Sequence, residues 1–163
     1  MQVDLDASDI KLLAALQADA SRSTAELADI VGVSQSACWR RLQRLKTEGV
    51  IRAQVALLDR EKIGLNAHIF AEVKLSIHGR NNLAEFSEAI RRFPEVLECY
   101  VMMGRIDFLL KIVAADIKAY EQFFFEKLSR LPGIQEVNSI VALSEIKAIT
   151  SLPLPKRGKK TSE

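Results

Sequence analysis

The sequence predicts an α+β chain in two parts, and three observations predict it. Residues 1–52 hold three segments with helical apolar spacing, set off by polar caps and glycine stops. Residues 67–149 alternate strand-like and helix-like segments in the order β-α-β-β-α-β. Between them, residues 59–66 are polar and pass through Gly64, the composition of a linker.

The elements follow in order. Asp6 is a good N-cap for the first helix, and Asp9 places a carboxylate in its first turn, where the helix dipole favours it. Ile10, Leu13, Ala14 and Leu16 form its expected apolar stripe. The second helix opens on a capping box, Ser23-Thr24-Ala25-Glu26. It buries Leu27, Ala28 and Val31 and stops at Gly32, which tolerates the left-handed conformation. Ser34 caps a third helix running to Glu48 before Gly49, with Cys38, Leu42 and Leu45 inward. The β-branched and aliphatic residues of 50–58 suit a strand.

Residues 67–77 alternate, with Ile69, Ala71, Val73, Leu75 and Ile77 on one side, as in a half-buried strand. Residues 82–93 make an amphipathic helix through Leu83, Phe86, Ile90 and Phe93, ended by Pro94. Two strands, 96–103 and 106–113, meet at Gly104-Arg105. Asp116 caps a helix carrying Ile117, Tyr120, Phe124, Leu128 and Leu131, stopped by Pro132-Gly133. Residues 134–149 read as the last strand. This order is the ferredoxin-like plan, one antiparallel sheet with two helices on one face. The other face lacks cover within the chain, so a second copy is the expected partner.

Composition bounds the function. The 163 residues are 48% hydrophobic and 27% charged, ordinary for a folded protein and unlike a disordered one. No apolar run approaches the roughly 20 residues of a membrane span. The first residues lack a signal peptide's basic and apolar regions, and two cysteines do not build a disulfide framework, so a cytoplasmic location is expected.

The net charge of +2 says little, but its distribution says more. Residues 1–52 balance, yet between Ser34 and Arg52 five bases face one acid. Three helices with a glycine turn before a basic third helix form a helix-turn-helix, whose last helix enters the DNA major groove. Cations there displace the counterions condensed on phosphates. The candidate DNA-binding residues are Ser34, Gln35, Ser36, Trp39, Arg40, Arg41 and Arg44. Gln pairs with adenine and Arg with guanine along base edges, which suits Gln35 and Arg40 near the helix start. Arg41 and Arg44 are better placed for phosphates, and partial packing is the favoured reading of Trp39. A solvated basic face that makes ion pairs is the competing reading, disfavoured by the helix-turn-helix context.

The motifs Leu5-Asp6 with Asp9-Ile10, Leu27-Ala28 with Val31-Gly32-Val33-Ser34, and Cys38-Trp39-Arg40-Arg41-Leu42 occur together. Met103-Gly104-Arg105-Ile106-Asp107-Phe108, Leu131-Pro132-Gly133 and Glu145-Ile146-Lys147 follow in the second half. In this combination the chain resembles the Lrp/AsnC family of transcription regulators over about residues 4–154. The resemblance implies a winged helix-turn-helix followed by a ferredoxin-like, effector-sensing domain. With the patterns above, this divides the chain into a DNA-binding unit (1–52), a strand and linker (53–66), an effector and oligomerisation unit (67–152) and a basic tail (153–163). It also implies a homodimer that can assemble to an octamer, double-stranded DNA as partner, and a small effector, an amino acid, held between dimers. Effector residues implied by the family's glycine loop are Met103, Gly104, Arg105 and Asp107, with Asn138 and Ser139 from the facing subunit. Backbone N–H groups at a glycine turn suit a carboxylate and Asp107 suits an ammonium. Arg105 stands where an acidic residue is common in the family, and a solvated turn residue is its other reading.

Three other functions compete with this one. Against an enzyme, His68 and His78 have no nucleophile or paired-carboxylate motif near them, and no P-loop, GxGxxG or HExxH occurs, so no catalytic residue, metal ligand or cofactor is expected. Against a metal or thiol sensor, Cys38 and Cys99 are remote from each other and from any Cys/His cluster. An architectural protein that wraps DNA without a ligand remains the alternative, with weak sequence preference and steep salt dependence.

Overall fold

The computed structural model describes residues 3–80 and 83–155, with the side chain of Arg80 outside the description. The chain divides into two compact units, residues 1–56 with 147–163, and residues 57–146. The sequence reading places the second boundary at 152/153 instead.

The first unit is built on α1 (Ala7–Ala18), α2 (Thr24–Val31) and α3 (Gln35–Thr47). Asp6 and Asp9 cap α1 reciprocally, and Ser23 and Glu26 do the same for α2. Gly32 takes the left-handed conformation at φ 77° between α2 and α3. Leu12, Leu13, Leu27, Ala28, Val31, Cys38, Leu42 and Leu45 share one core. The stripe expected on α1 is displaced: Leu12 and Ala15 are buried and Ala14 is exposed. Asp9 is buried on the same helix, beside Leu12 and Leu13 in helical spacing.

The strand expected at 50–58 is absent. Val55, Leu57 and Leu58 are each at least 70% exposed; a strand needs a neighbour to receive its N–H and C=O groups, and among the described residues none pairs with this segment. The chain is held on the helical unit on both sides of Pro153. Gln17 donates from Nε2 to the Leu152 carbonyl at 3.1 Å and accepts the Leu152 N–H at 2.7 Å. Leu154 packs, partly buried, on the helical core. Residues 156–163, with Lys156, Arg157, Lys159 and Lys160, lie outside the described residues.

The second unit contains β1 (Ala67–Leu75), α4 (Ile77–Arg80), α5 (Leu83–Arg91), β2 (Val96–Val101), β3 (Phe108–Ala114), α6 (Ile117–Glu126), a 3-10 turn (Leu128–Arg130) and β4 (Ile134–Val141). Asn82, expected to start the second-unit helix, is outside the described residues. The sheet is antiparallel in the order β2-β3-β1-β4, the ferredoxin-like arrangement. Ile69, Ala71, Val73, Leu110 and Ile112 from the sheet meet Phe86, Ile90, Tyr120, Phe123 and Leu128 in one core. The short α4 was not read from the sequence, and it ends the β1 stripe before Ile77, which is 78% exposed. β4 stops at Val141 instead of continuing to 149. Val141 already pairs with Ile69 and the Ala142 N–H reaches the His68 carbonyl, so only Ala67 of β1 remains beyond it.

The opposite sheet face carries cross-strand rows. Tyr100, Leu109, Glu72 and Asn138 form one, and Glu98, Lys111, Phe70 and Ile140 another. Tyr100 and Ile140 are about half exposed there.

Candidate functional site

Helix α3 sorts its side chains into three directions. Cys38, Leu42 and Leu45 are buried. At about 100° per residue, Ser36, Arg40, Gln43 and Thr47 fall on the opposite side, flanked by Trp39. All five are exposed, with Trp39 at 54%. That exposure fits the expected partial packing of Trp39 and leaves about half of the residue available to a partner. Ser34 caps the helix by accepting the Ala37 N–H at 3.3 Å, and its Oγ lies 3.2 Å from that of Ser36. Gln35 is exposed in the first turn. Arg40 makes no ion pair among the described residues. Gln43 and Thr47 were missed by sequence reasoning, although their spacing of three and seven from Arg40 would have found them.

The third direction holds Arg41 and Arg44, and both guanidinium groups are engaged. Arg41 Nη1 lies 2.6 Å from Asp6 Oδ2 and 2.8 Å from Asp9 Oδ1. Arg44 Nη2 lies 2.5 Å from Asp9 Oδ2, and its Nη1 is 3.5 Å from Glu48. Asp9 Oδ2 also accepts the Asp6 N–H at 3.0 Å. Asp6 is held below its ordinary pKa, first by the Asp9 backbone N–H and further by Arg41. The Asp6 and Asp9 carboxylates push Arg41 upward, and Asp9 does the same for Arg44. The phosphate role expected for these two arginines therefore competes with acidic partners already in place.

The glycine loop of the second unit spans residues 102–107 and closes through the Met102 N–H to the Asp107 carbonyl at 2.9 Å. Met103 is fully exposed, and Gly104 has φ 144°, a conformation that favours glycine. Asp107 ties the loop to β1: its N–H donates to the Val73 carbonyl, and its Oδ2 accepts the Leu75 N–H at 2.7 Å. Arg105 reaches over the open sheet face to Glu72 at 3.5 Å, and Asn138 donates to the same Glu72 carboxylate at 3.0 Å. Arg105, Asn138, Glu72, Lys74, Ile106 and Glu136 line a cleft of about 130 Å³. Ser139 does not join them. It pairs with Ala71, on the helix side, and its hydroxyl lies 2.5 Å from that of Tyr120. Adjacent residues of a strand point to opposite faces, which separates Ser139 from Asn138.

Among the described residues, no helix is long and apolar enough to cross a membrane. Cys38 is buried and Cys99 exposed, and both are free thiols.

Two family models match the chain. The AsnC-type helix-turn-helix domain covers residues 5–46, and the Lrp/AsnC ligand binding domain covers residues 68–152. The glutamate uptake regulatory protein of Zymomonas mobilis is 40% identical over 156 residues, which is 96% of this chain and 94% of that protein. The DNA-binding transcriptional activator DecR of Escherichia coli is 39% identical, covering 92% of this chain and 99% of its own. A transcriptional regulator of Neisseria meningitidis, solved as a complex with L-Met, superposes with a TM-score of 0.87 at 35% identity. That superposition covers 92% of this chain and 97% of the other.

Proposed function

The chain belongs to the Lrp/AsnC family of transcription regulators, and from that membership we propose how its two units divide the work. It is a DNA-binding regulator with a ligand-binding domain. The reading helix is α3, and Gln35, Ser36, Trp39, Arg40 and Gln43 are the side chains that meet DNA. The observation that carries this is the exposed outer face of α3, polar and centred on Arg40, which makes no ion pair among the described residues. Such a face offers the paired donors and acceptors that base edges require.

The effector is an amino acid, as the L-Met complex of the meningococcal relative suggests. Arg105 takes its carboxylate, Gly104 allows close backbone approach, and Asn138 with Glu72 receives the ammonium end. Asp107 holds the loop on β1 and so shapes the site. The apolar and aromatic members of the open sheet face, Phe70, Tyr100, Leu109 and Ile140, form the contact between two copies. A dimer presents two reading helices to half-sites about one helical turn apart, roughly 34–36 Å. Effector binding changes DNA affinity only by favouring one assembly or pose over another.

Two measurements test the proposal. Selection from a random duplex pool, followed by footprinting, should yield a defined protected site; protection spread along all duplexes would favour DNA wrapping instead. A thermal-shift screen against the twenty amino acids should give one strong hit or a small related set. A ligand specific to the folded state adds about 2.7 kcal/mol at a hundredfold excess over its Kd. Arg105→Ala should abolish that shift, and a flat screen would refute the amino-acid effector.

A further inference from the structure

We infer that Asp9 is the positioning residue of the reading helix, and that Arg41 and Arg44 serve it instead of DNA phosphates. The inference rests on the assignment of α3 as the reading helix and asks which of its basic residues touch DNA.

Sequence alone gives Asp9 a modest task, favourable charge in the first turn of α1. The structure gives it another. Its side chain is 1% exposed, and a buried carboxylate needs partners for its charge and lone pairs. Both oxygens are used. Oδ1 takes Arg41, and Oδ2 takes Arg44 together with the Asp6 N–H. The two arginines lie three apart on one flank of α3, so one carboxylate on α1 grips nearly a full turn of the other helix. Asp6 adds a second hold on Arg41. Charge-assisted bonds of this kind are directional, so they fix rotation about the α3 axis as well as its distance from α1. Apolar contacts at Cys38, Leu42 and Leu45 are less selective about rotation. Rotation is what decides whether Arg40 and Gln43 point at base edges.

The same geometry sorts the cations. Arg41 is 29% exposed at the side chain and Arg44 39%, each spent on acids, whereas Arg40 and Lys46 are exposed and make no ion pair among the described residues. Of the four basic residues in α3, two are left for phosphates or bases.

Salt dependence separates these roles. Each neutralised phosphate contributes about 0.9 to the slope of log K against log salt. The probe is a duplex selected from a random pool by the unsubstituted protein, so failure to select any duplex would sink the reading-helix assignment before this test began. Arg40→Ala should weaken binding and flatten the slope by about 0.9. Arg41→Gln and Arg44→Gln should lower the melting temperature of the DNA-binding unit and weaken binding with the slope unchanged. Asp9→Asn, which keeps shape but loses charge, frees Arg44 from its shortest ion pair while Arg41 keeps Asp6. Its slope should steepen, by up to about 0.9, while affinity at low salt falls and the preferred bases blur. A purely structural Asp9 would lower melting and affinity without steepening the slope. If Asp9→Asn does not fold, the two arginine variants decide alone. Flattening of about 0.9 in either, at unchanged melting temperature, would place that arginine on phosphate and overturn the inference.

Discussion

Gly79 and Gly133 pass so closely that a single methyl group should break the second unit. A Cβ built on Gly79 would lie 2.4 Å from the Gly133 carbonyl oxygen, 2.7 Å from its Cα and 2.9 Å from its carbonyl carbon. Ordinary contact begins near 3.4 Å, so the two backbones must separate by about 1 Å. No rotamer relieves this, because every atom met is main chain. The same carbonyl oxygen accepts the Ser76 N–H at 2.9 Å, where β1 gives way to α4. Overpacking costs about 1–3 kcal/mol, and loss of that hydrogen bond adds about 1 kcal/mol. Gly79→Ala should therefore cost about 2–4 kcal/mol in the second unit. For a unit of this size, that lowers the melting temperature by roughly 10–30 °C. Differential scanning calorimetry of the full chain reads it. Gly64→Ala is the control: φ is 85° and nothing lies within 4 Å of the added Cβ, so only left-handed strain of about 1–2 kcal/mol is expected. If Gly79→Ala melts with the unsubstituted protein, or no lower than Gly64→Ala, the close-approach argument fails.

Three further outcomes are expected. Burial, with the charges of Lys111 and Arg60, holds the pKa of His68 below its ordinary value against the opposing pull of Glu145 and Glu98. The unfolded chain then takes a proton that the folded one refuses, so stability falls as pH drops below about 6.5 and is unaffected above it. His68→Gln should flatten denaturant midpoints between pH 7 and 5, and an unchanged pH slope would refute this. Ser23→Ala removes one half of the α2 capping box and should cost about 1 kcal/mol by urea unfolding, whereas Ser21→Ala, outside any helix cap, should cost less. Tyr120→Phe should cost about 1 kcal/mol by removing the hydroxyl that meets Ser139, and combined with Ser139→Ala it should cost less than the sum of the two if they share one bond. A double variant losing the full sum would show that they do not.

Much of the architecture was legible because local signals agreed. The caps at Asp6, Ser23, Ser34 and Asp116, and the glycine at 32, stand where their chemistry demanded. The inward row of β1 follows a period of two over Ile69, Ala71, Val73 and Leu75. What failed depended on partners remote in sequence. The apolar run at 50–58 looks like a strand by composition, but composition supplies no neighbour to pair with. Residues 142–149 look equally suitable and stop for want of β1 backbone beyond them. Ser139 and Asn138 are neighbours in the chain, and only the register against Ala71 and Glu72 sends them to opposite faces. Arg41 and Arg44 are indistinguishable from Arg40 by type. Their difference lies in angular position around α3 and in an aspartate more than thirty residues earlier.

The anchoring of Leu152 and Leu154 on the helical core orders events in time. The DNA-binding unit draws its packing from residues 5–51 and from 154, with all of residues 57–146 between them. During synthesis from the N-terminus, its core stays short of that contact until the sheet unit has left the ribosome and had the opportunity to fold. A fragment ending near residue 56 lacks Leu154 and leaves the Gln17 side chain without its two backbone partners. The contacts of Leu152 and Leu154 are thus the last that the helical unit receives, although its first residue is made first.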